Sequence, residues 1–328
     1  MTYRPPRPTD AQRVVWPEDF GTRFTVFVDV EEEFDWTAPL DRRNRATIAM
    51  AAFPEAHRRF ADRGVALTCM VDYPITTDPA SVEILAHVLE DGRSEIGTQL
   101  HAWVNPPFAD GAPPGSSYAG NLPRISEAAK LETLTRAITA AFGSALRVYR
   151  AGRYGIGPNS FALLAGPGYR IDSSVRPGYD YSADGGPDFS MAEAGVYRSG
   201  GHRRVAADYR VHGPHARRAG PRLYRALGRI PKGRGLFARA RLLSRIALTP
   251  EDMPIADALE AVAVAAGEGV RLLNLSFHSP SLAPGHTPYV RDAADLKRFH
   301  DWWTTMLDEF DRRGIRNASL DEIVVALG

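Results

Sequence analysis

With one cysteine among 328 residues, the chain cannot form an internal disulfide. That thiol, Cys69, lies in the apolar run Val65-Ala-Leu-Thr-Cys-Met-Val71, where a buried and inert side chain is expected. No apolar run approaches the ~20 residues that a bilayer-spanning helix needs. The opening Met-Thr-Tyr-Arg-Pro-Pro-Arg-Pro carries basic residues with no apolar core behind them, unlike a secretory leader. These absences favour a cytoplasmic location. There is no short internal repeat. Net charge is also nearly lacking, at +1, but this hides an asymmetry. Between Arg198 and Arg245 stand thirteen arginines and Lys232 against one acid, Asp208, a local charge of +13. This basic stretch lacks the aromatic interleaving expected of a single-strand nucleic-acid groove, so no nucleic-acid partner is expected. An acidic polysaccharide, an anionic membrane surface or the acidic remainder of the chain could each answer its charge.

What the sequence does contain is an alternation of apolar runs and helical patterns. Residues 1–22 are rich in proline and read as an amino-terminal arm. Strand-like runs follow at Phe24–Val28, Val65–Val71, Ser94–Leu100, Leu146–Tyr149, Tyr169–Ile171 and Arg271–Phe277. Between and after them, apolar spacing predicts helices over Thr47–Arg63, Pro79–Glu90, Ser126–Phe142, Pro158–Ala165, Ile255–Ala266, Ala293–Arg313 and Leu320–Ala326. Repeated strand-then-helix units imply a parallel sheet with crossover helices. Six or seven units over about 300 residues suit an α/β barrel, complete or incomplete. The domain would span residues 23–328, with a basic insertion at about 180–250, before the last strand.

The most informative stretch is Phe24-Thr-Val-Phe-Val-Asp-Val-Glu-Glu-Glu-Phe-Asp-Trp36. An apolar strand ends abruptly in Asp29, Glu31, Glu32, Glu33 and Asp35. Carboxylates beside a buried sheet are costly unless a metal, a cation or water compensates them. A solvated acidic turn is the plainer alternative. Other strand ends tip the balance, because the successive runs stop at His101, Arg150, Asp172 and His278. In a (β/α) barrel such positions converge on one rim. Two acids, two imidazoles and a guanidinium there suit metal-assisted hydrolysis. A carboxylate accepts the proton of an activated water, and a histidine protonates the leaving amine. An arginine beside the base and an acid beside the histidine would keep each in its working protonation state.

In their order these segments resemble the NodB-like polysaccharide deacetylases, carbohydrate esterase family four, and more narrowly the WalW-like branch. The resemblance rests on Val28-Asp29-Val30-Glu31, Glu95-Ile-Gly-Thr-Gln-Leu-His101-Ala-Trp103, Tyr149-Arg150-Ala-Gly-Arg-Tyr154, Asp172-Ser-Ser and Leu275-Ser-Phe-His278-Ser. It implies a distorted, incomplete barrel of the NodB-homology type and hydrolysis of a carbon–nitrogen bond other than a peptide bond, removing N-acetyl groups from a polysaccharide or glycan. Carried onto this chain, Asp29 would be the base, Glu31 and His101 metal ligands, Arg150 the partner of the base, Asp172 the acid tuning the histidine, and His278 the general acid. The metal would be zinc, with cobalt, manganese and nickel as alternatives. Trp36, Trp103 and Tyr154 would offer flat faces to sugar rings. The chain departs from the family pattern at Gln99, where a histidine is usual, and at Gly152, where proline is usual. Glutamine is a poor zinc ligand, so Glu32, Glu33, Asp35 or His286 could be recruited instead. The alternative reading is a weak or inactive relative that binds glycan or assists polysaccharide assembly.

Overall fold

The computed structural model describes residues 2–108, 115–143, 146–199, 202–205, 209–212, 226–227, 230 and 244–328. Most of the basic stretch between Arg198 and Arg245 lies outside these residues. So does most of the segment that could meet an anionic membrane surface.

The described strands are β1 Arg23–Val30, β2 Leu67–Val71, β3 Glu95–Leu100, β4 Val148–Ala151, β5 Ile171–Asp172, β6 Val196–Ser199, β7 His202–Val205, β8 Tyr209–His212, β9 Ser244–Ala247, β10 Leu272–His278 and β11 Arg316–Asn317. The main sheet runs β10-β1-β2-β3-β4-β5-β7-β6, with β11 beside β1, and its pairings are parallel except β6 with β7. The order does not return from β6 to β10, so the curled sheet is an incomplete (β/α) barrel, as the alternation implied. Strands β8 and β9 form a separate antiparallel pair. Sequence patterning did not reveal β6 to β9, because each is four residues long and interrupted by arginine, too short to show a clear period.

The helices fall near their expected positions. Ala293–Arg313 has the expected bounds, opened by the Asp292 side chain accepting from the Asp295 N–H. The long helix Arg124–Phe142 stops at Gly143, whose φ of 67° is left-handed, a conformation glycine adopts at little cost. Before Phe53–Ala61, the expected helix is instead a tighter 3-10 turn over Ile48–Ala52, consistent with Pro54 opening the α-helix proper.

Alternation along the strands sorts the core. Phe24, Val26, Val28 and Val30 of β1 pack with the surrounding helices. Phe27 points the other way and packs with Met70, Val148 and Ile171, plugged from below by Leu320 and Ile323 of the helix Leu320–Leu327. Asp29 is one alternation further along that inner face. The apolar plug thus forms the floor on which polar strand ends stand.

The arm runs alongside the sheet. Arg13 bridges to Tyr197, the Val14 N–H donates to the Val196 carbonyl, and Arg4 Nε lies 2.7 Å from Asp188 Oδ2. Among the described residues no helix is long and apolar enough to cross a membrane.

Candidate functional site

The inner-face residues at the C-terminal strand ends line a cavity of about 910 Å³. Strand β1 supplies Asp29, and the turn after it Glu31. Strand β3 contributes Gln99 and His101 follows it. Strand β4 provides Arg150, and β10 provides Asn274, Ser276 and His278. Parallel register places Asp29 opposite His278 and Gln99 opposite Arg150.

Asp29 is held from two sides. Arg150 Nη1 donates to its Oδ1 at 2.5 Å, and His278 Nε2 lies 3.7 Å from its Oδ2. Arg150 is buried and also donates to Ser173 Oγ at 3.1 Å, with its guanidinium 5.3 Å from the Phe27 ring. On its other nitrogen, His278 Nδ1 meets Glu251 Oε2 at 2.7 Å, while the His278 backbone N–H donates to Glu251 Oε1. Burial disfavours the imidazolium, but Glu251, Glu31 and Asp29 outweigh that cost and hold His278 well above its usual pKa.

The acid beside His278 is therefore Glu251, not Asp172 as the resemblance implied. Asp172 lies between Ile171 and Ser173, which face inward, so alternation turns its side chain to the opposite face of the sheet. There it accepts from Ser174 Oγ and N, and Ser174 Oγ in turn accepts from the Ala151 N–H. Asp172 thus buttresses the seam between β4 and β5. Glu251 was missed because the basic stretch concealed its strand. Its signal is the same as that of β1, an apolar run (Ile246-Ala-Leu248) breaking into acids after β9.

Two donor sets meet at His101. Behind the ring, buried Glu32, Asp72 and His101 form a triad whose donor atoms lie within 4.8 Å of one another and which could hold a metal. That set is also complete without one. Glu32 accepts from His101 Nδ1 (2.7 Å) and Trp103 Nε1 (2.8 Å), and Asp72 accepts from the N–H groups of Glu32 and Ile75. Burial raises both carboxyls, Glu32 to about 8 and Asp72 well above its usual value, Asp72 further raised by Glu32. In front, His101 Nε2 faces the cavity 3.4 Å from Glu31 Oε2. Here Glu31 Oε1 and Gln99 Oε1 are buried without a hydrogen-bond partner among the described residues. A Glu31 carboxyl beside the Nε2 of an imidazole whose other nitrogen is fixed by Glu32, with the orphaned Gln99 oxygen in the lining of the same cavity, fits a divalent cation. The front set is the better fit, because its oxygens are those left wanting a partner. Burial lifts Glu31 to about 7, partly opposed by His278 and His101.

The other carboxylates of the acidic cluster lead away from the cavity. Glu33 meets His286 Nδ1 at 2.8 Å and accepts from the Ala49 N–H, and Asp35 caps Thr37. Asp29 and Glu31 line the cavity but Glu33 does not, because strict alternation is not kept beyond Val30, where β1 ends. Trp36, Trp103 and Tyr154 all line the cavity. Trp36 sits edge-on to His278, with ring centroids 5.0 Å apart, and Trp103 stacks on His101 at 4.2 Å. Gly152 explains the missing proline, because a Cβ there would come within 2.4 Å of His101 Cδ2 and 2.8 Å of the Leu100 carbonyl.

No protein-family profile matches the sequence, and no curated protein matches it. Solved structures do resemble it. A GH57-type branching enzyme from Pyrococcus horikoshii aligns with a TM-score of 0.52 at 10% identity, over 94% of this chain and 70% of its own. A Mycobacterium smegmatis protein provisionally assigned as a polysaccharide deacetylase aligns at 0.47 with 16% identity, over 95% and 98%. A CE4 family pseudoenzyme from Bacillus anthracis aligns at 0.45 with 8% identity, over 94% and 66%. At such identities the likeness is one of fold alone.

Proposed function

We propose that this chain is a metal-supported hydrolase that removes N-acetyl groups from a glycan, a polysaccharide deacetylase of the NodB-like, WalW-like kind. The observation that carries this reading is Asp29, set between Arg150 and His278 at the floor of the cavity, with Glu251 behind the histidine. Glu31, His101 through Nε2 and the Gln99 carbonyl oxygen would hold the divalent cation. When bound, that cation would polarise the acetyl carbonyl and ease deprotonation of a water. Asp29, oriented by Arg150, takes the proton of the attacking water. His278, kept as imidazolium by Glu251, gives a proton to the departing sugar nitrogen. Trp36 and Trp103 offer faces against which a pyranose ring can lie. Glu32 fixes the His101 ring from behind through Nδ1, which turns Nε2 towards the cavity.

The test is release of acetate and free amine from N-acetylated oligosaccharides by the wild-type protein, Asp29→Asn and His278→Ala, with and without added zinc, cobalt, manganese or nickel. Turnover that survives in both variants would remove the assignment. A second reading, a glycan-binding protein without turnover, is favoured by one observation: the front donor set has a single imidazole. It predicts glycan binding with no stoichiometric metal and no released acetate.

A further inference from the structure

Opposite the acidic floor, the cavity wall is built from arginines laid on tyrosine rings. The ring of Tyr154 lies 5.8 Å from the Arg150 guanidinium and 5.0 Å from that of Arg176. The Tyr179 ring is 3.9 Å from Arg176 and 3.2 Å from Arg245. Arg176 Nη1 donates to Tyr181 Oη at 3.1 Å. All of these residues line the same cavity. Arg176 is only partly exposed, yet it forms no ion pair among the described residues. Of the carboxylates of the floor, Asp29 is committed to Arg150 and Glu251 to His278, and Glu31 lies against His101. Asp252 lines the cavity and feels the charge of Arg176, but makes no ion pair with it. The backbone pays for this arrangement, because Arg153 and Tyr154 are consecutive non-glycine residues in the left-handed region, with φ of 55° and 57°. That bend carries Tyr154 between Arg150 and Arg176.

A guanidinium that is largely desolvated, fixed on aromatic faces and without a carboxylate partner is a poised receptor for an anion. Its planar fork matches a carboxylate or phosphate, either of which offers two oxygens to parallel N–H donors. It shares the Tyr154 ring with the guanidinium that holds Asp29. The anion would thus sit on the sugar being processed or on its neighbour.

We propose that Arg176, supported by Tyr154, Tyr179 and Tyr181 and joined by Arg245, forms an anion-binding subsite, so that the substrate is an acidic glycan carrying a carboxylate or phosphate beside the reacting N-acetyl sugar. This rests on the glycan reading above, but not on turnover. Binding is measured by calorimetry in the Asp29→Asn background, with three probes: a tetrasaccharide alternating N-acetylglucosamine and glucuronate, N-acetylglucosamine 1-phosphate, and neutral chitotetraose. At least one acidic probe is expected to bind tenfold or more tightly than the neutral one, and which one does so identifies carboxylate or phosphate as the source. Arg176→Met should bring that preference within twofold while leaving chitotetraose binding unchanged. Arg176→Lys, which keeps the charge and the stack but loses the fork, should reduce it threefold or more, and provides the readout if the methionine variant does not fold. Equal affinity for acidic and neutral probes, binding of none, or an undiminished preference in the folded variants would overturn the proposal. Absence of acetate release with the preference intact would instead count against hydrolysis alone.

Discussion

His278 Nδ1 lies 2.7 Å from Glu251 Oε2, and the His278 backbone N–H donates to the other oxygen of the same carboxylate. The side chain and main chain of the histidine are thus clamped by one acid, which Ser281 Oγ holds in turn. Glu251→Gln keeps the shape and removes the charge. Deacetylation should fall by roughly 10²-fold or more, in the range expected for impaired general-acid catalysis. The imidazole pKa should drop with it, moving the alkaline limb of the pH–rate profile to lower pH. Asp172→Asn should leave that limb in place, because Asp172 lies on the other face of the sheet.

The front donor set has its own readout. Gln99→His adds an imidazole beside His101 on the inner face, and zinc affinity measured by titration calorimetry should rise by roughly tenfold or more. Glu31→Ala should weaken metal binding in both the wild-type and the Gln99→His background. If Glu32→Gln weakened it more than Glu31→Ala, the buried rear triad would be the metal site instead.

Gly152 tests the packing of His101. The Cβ of Gly152→Ala would meet both the imidazole ring and the Leu100 carbonyl. Overpacking of this kind costs about 1–3 kcal/mol. Thermal unfolding should shift down by several degrees, and the imidazole resonances of His101 should move. An unchanged midpoint and spectrum would mean that the ring is free to retreat.

A pH effect is expected away from the cavity. Burial raises the Glu127 carboxyl to about 7, although it accepts from Ser160 Oγ. The folded chain therefore keeps a proton that the unfolded chain releases near its ordinary pKa of 4.5. Stability from this group is complete below that value and is lost as pH rises towards 7, by up to ~3 kcal/mol. Glu127→Gln should flatten the wild-type decline between these limits and be more stable than wild type at pH 8. Chemical denaturation across that range measures both.

Much of the fold was legible in the sequence because buried parallel strands are apolar on both faces and stand out as unbroken runs. The same property marked Asp29, His101, Arg150 and His278 as strand-end residues, and all four line one cavity. Asp72 obeys the rule too, directly following Val71, but was not singled out from the sequence; its side chain caps the short helix Tyr73–Thr77. Asp172 was misplaced because strand-end position does not say which face a side chain takes in a two-residue strand. Glu251 carries the apolar-run signal but lies behind the basic stretch, and its pairing with His278 joins segments far apart in the chain. Arg176 follows no strand-end pattern, and its meaning comes from ring contacts with Tyr154 and nearby Tyr179.

The arm before residue 23 has a consequence for solubility. The strand Val196–Ser199 ends the sheet, and its outer backbone is met by Arg13 and Val14. Removing the arm would uncover hydrogen-bonding groups that another copy of the chain could match strand to strand. A truncated protein should therefore self-associate with its cavity undisturbed, so that the first casualty of losing this segment is dispersal in solution.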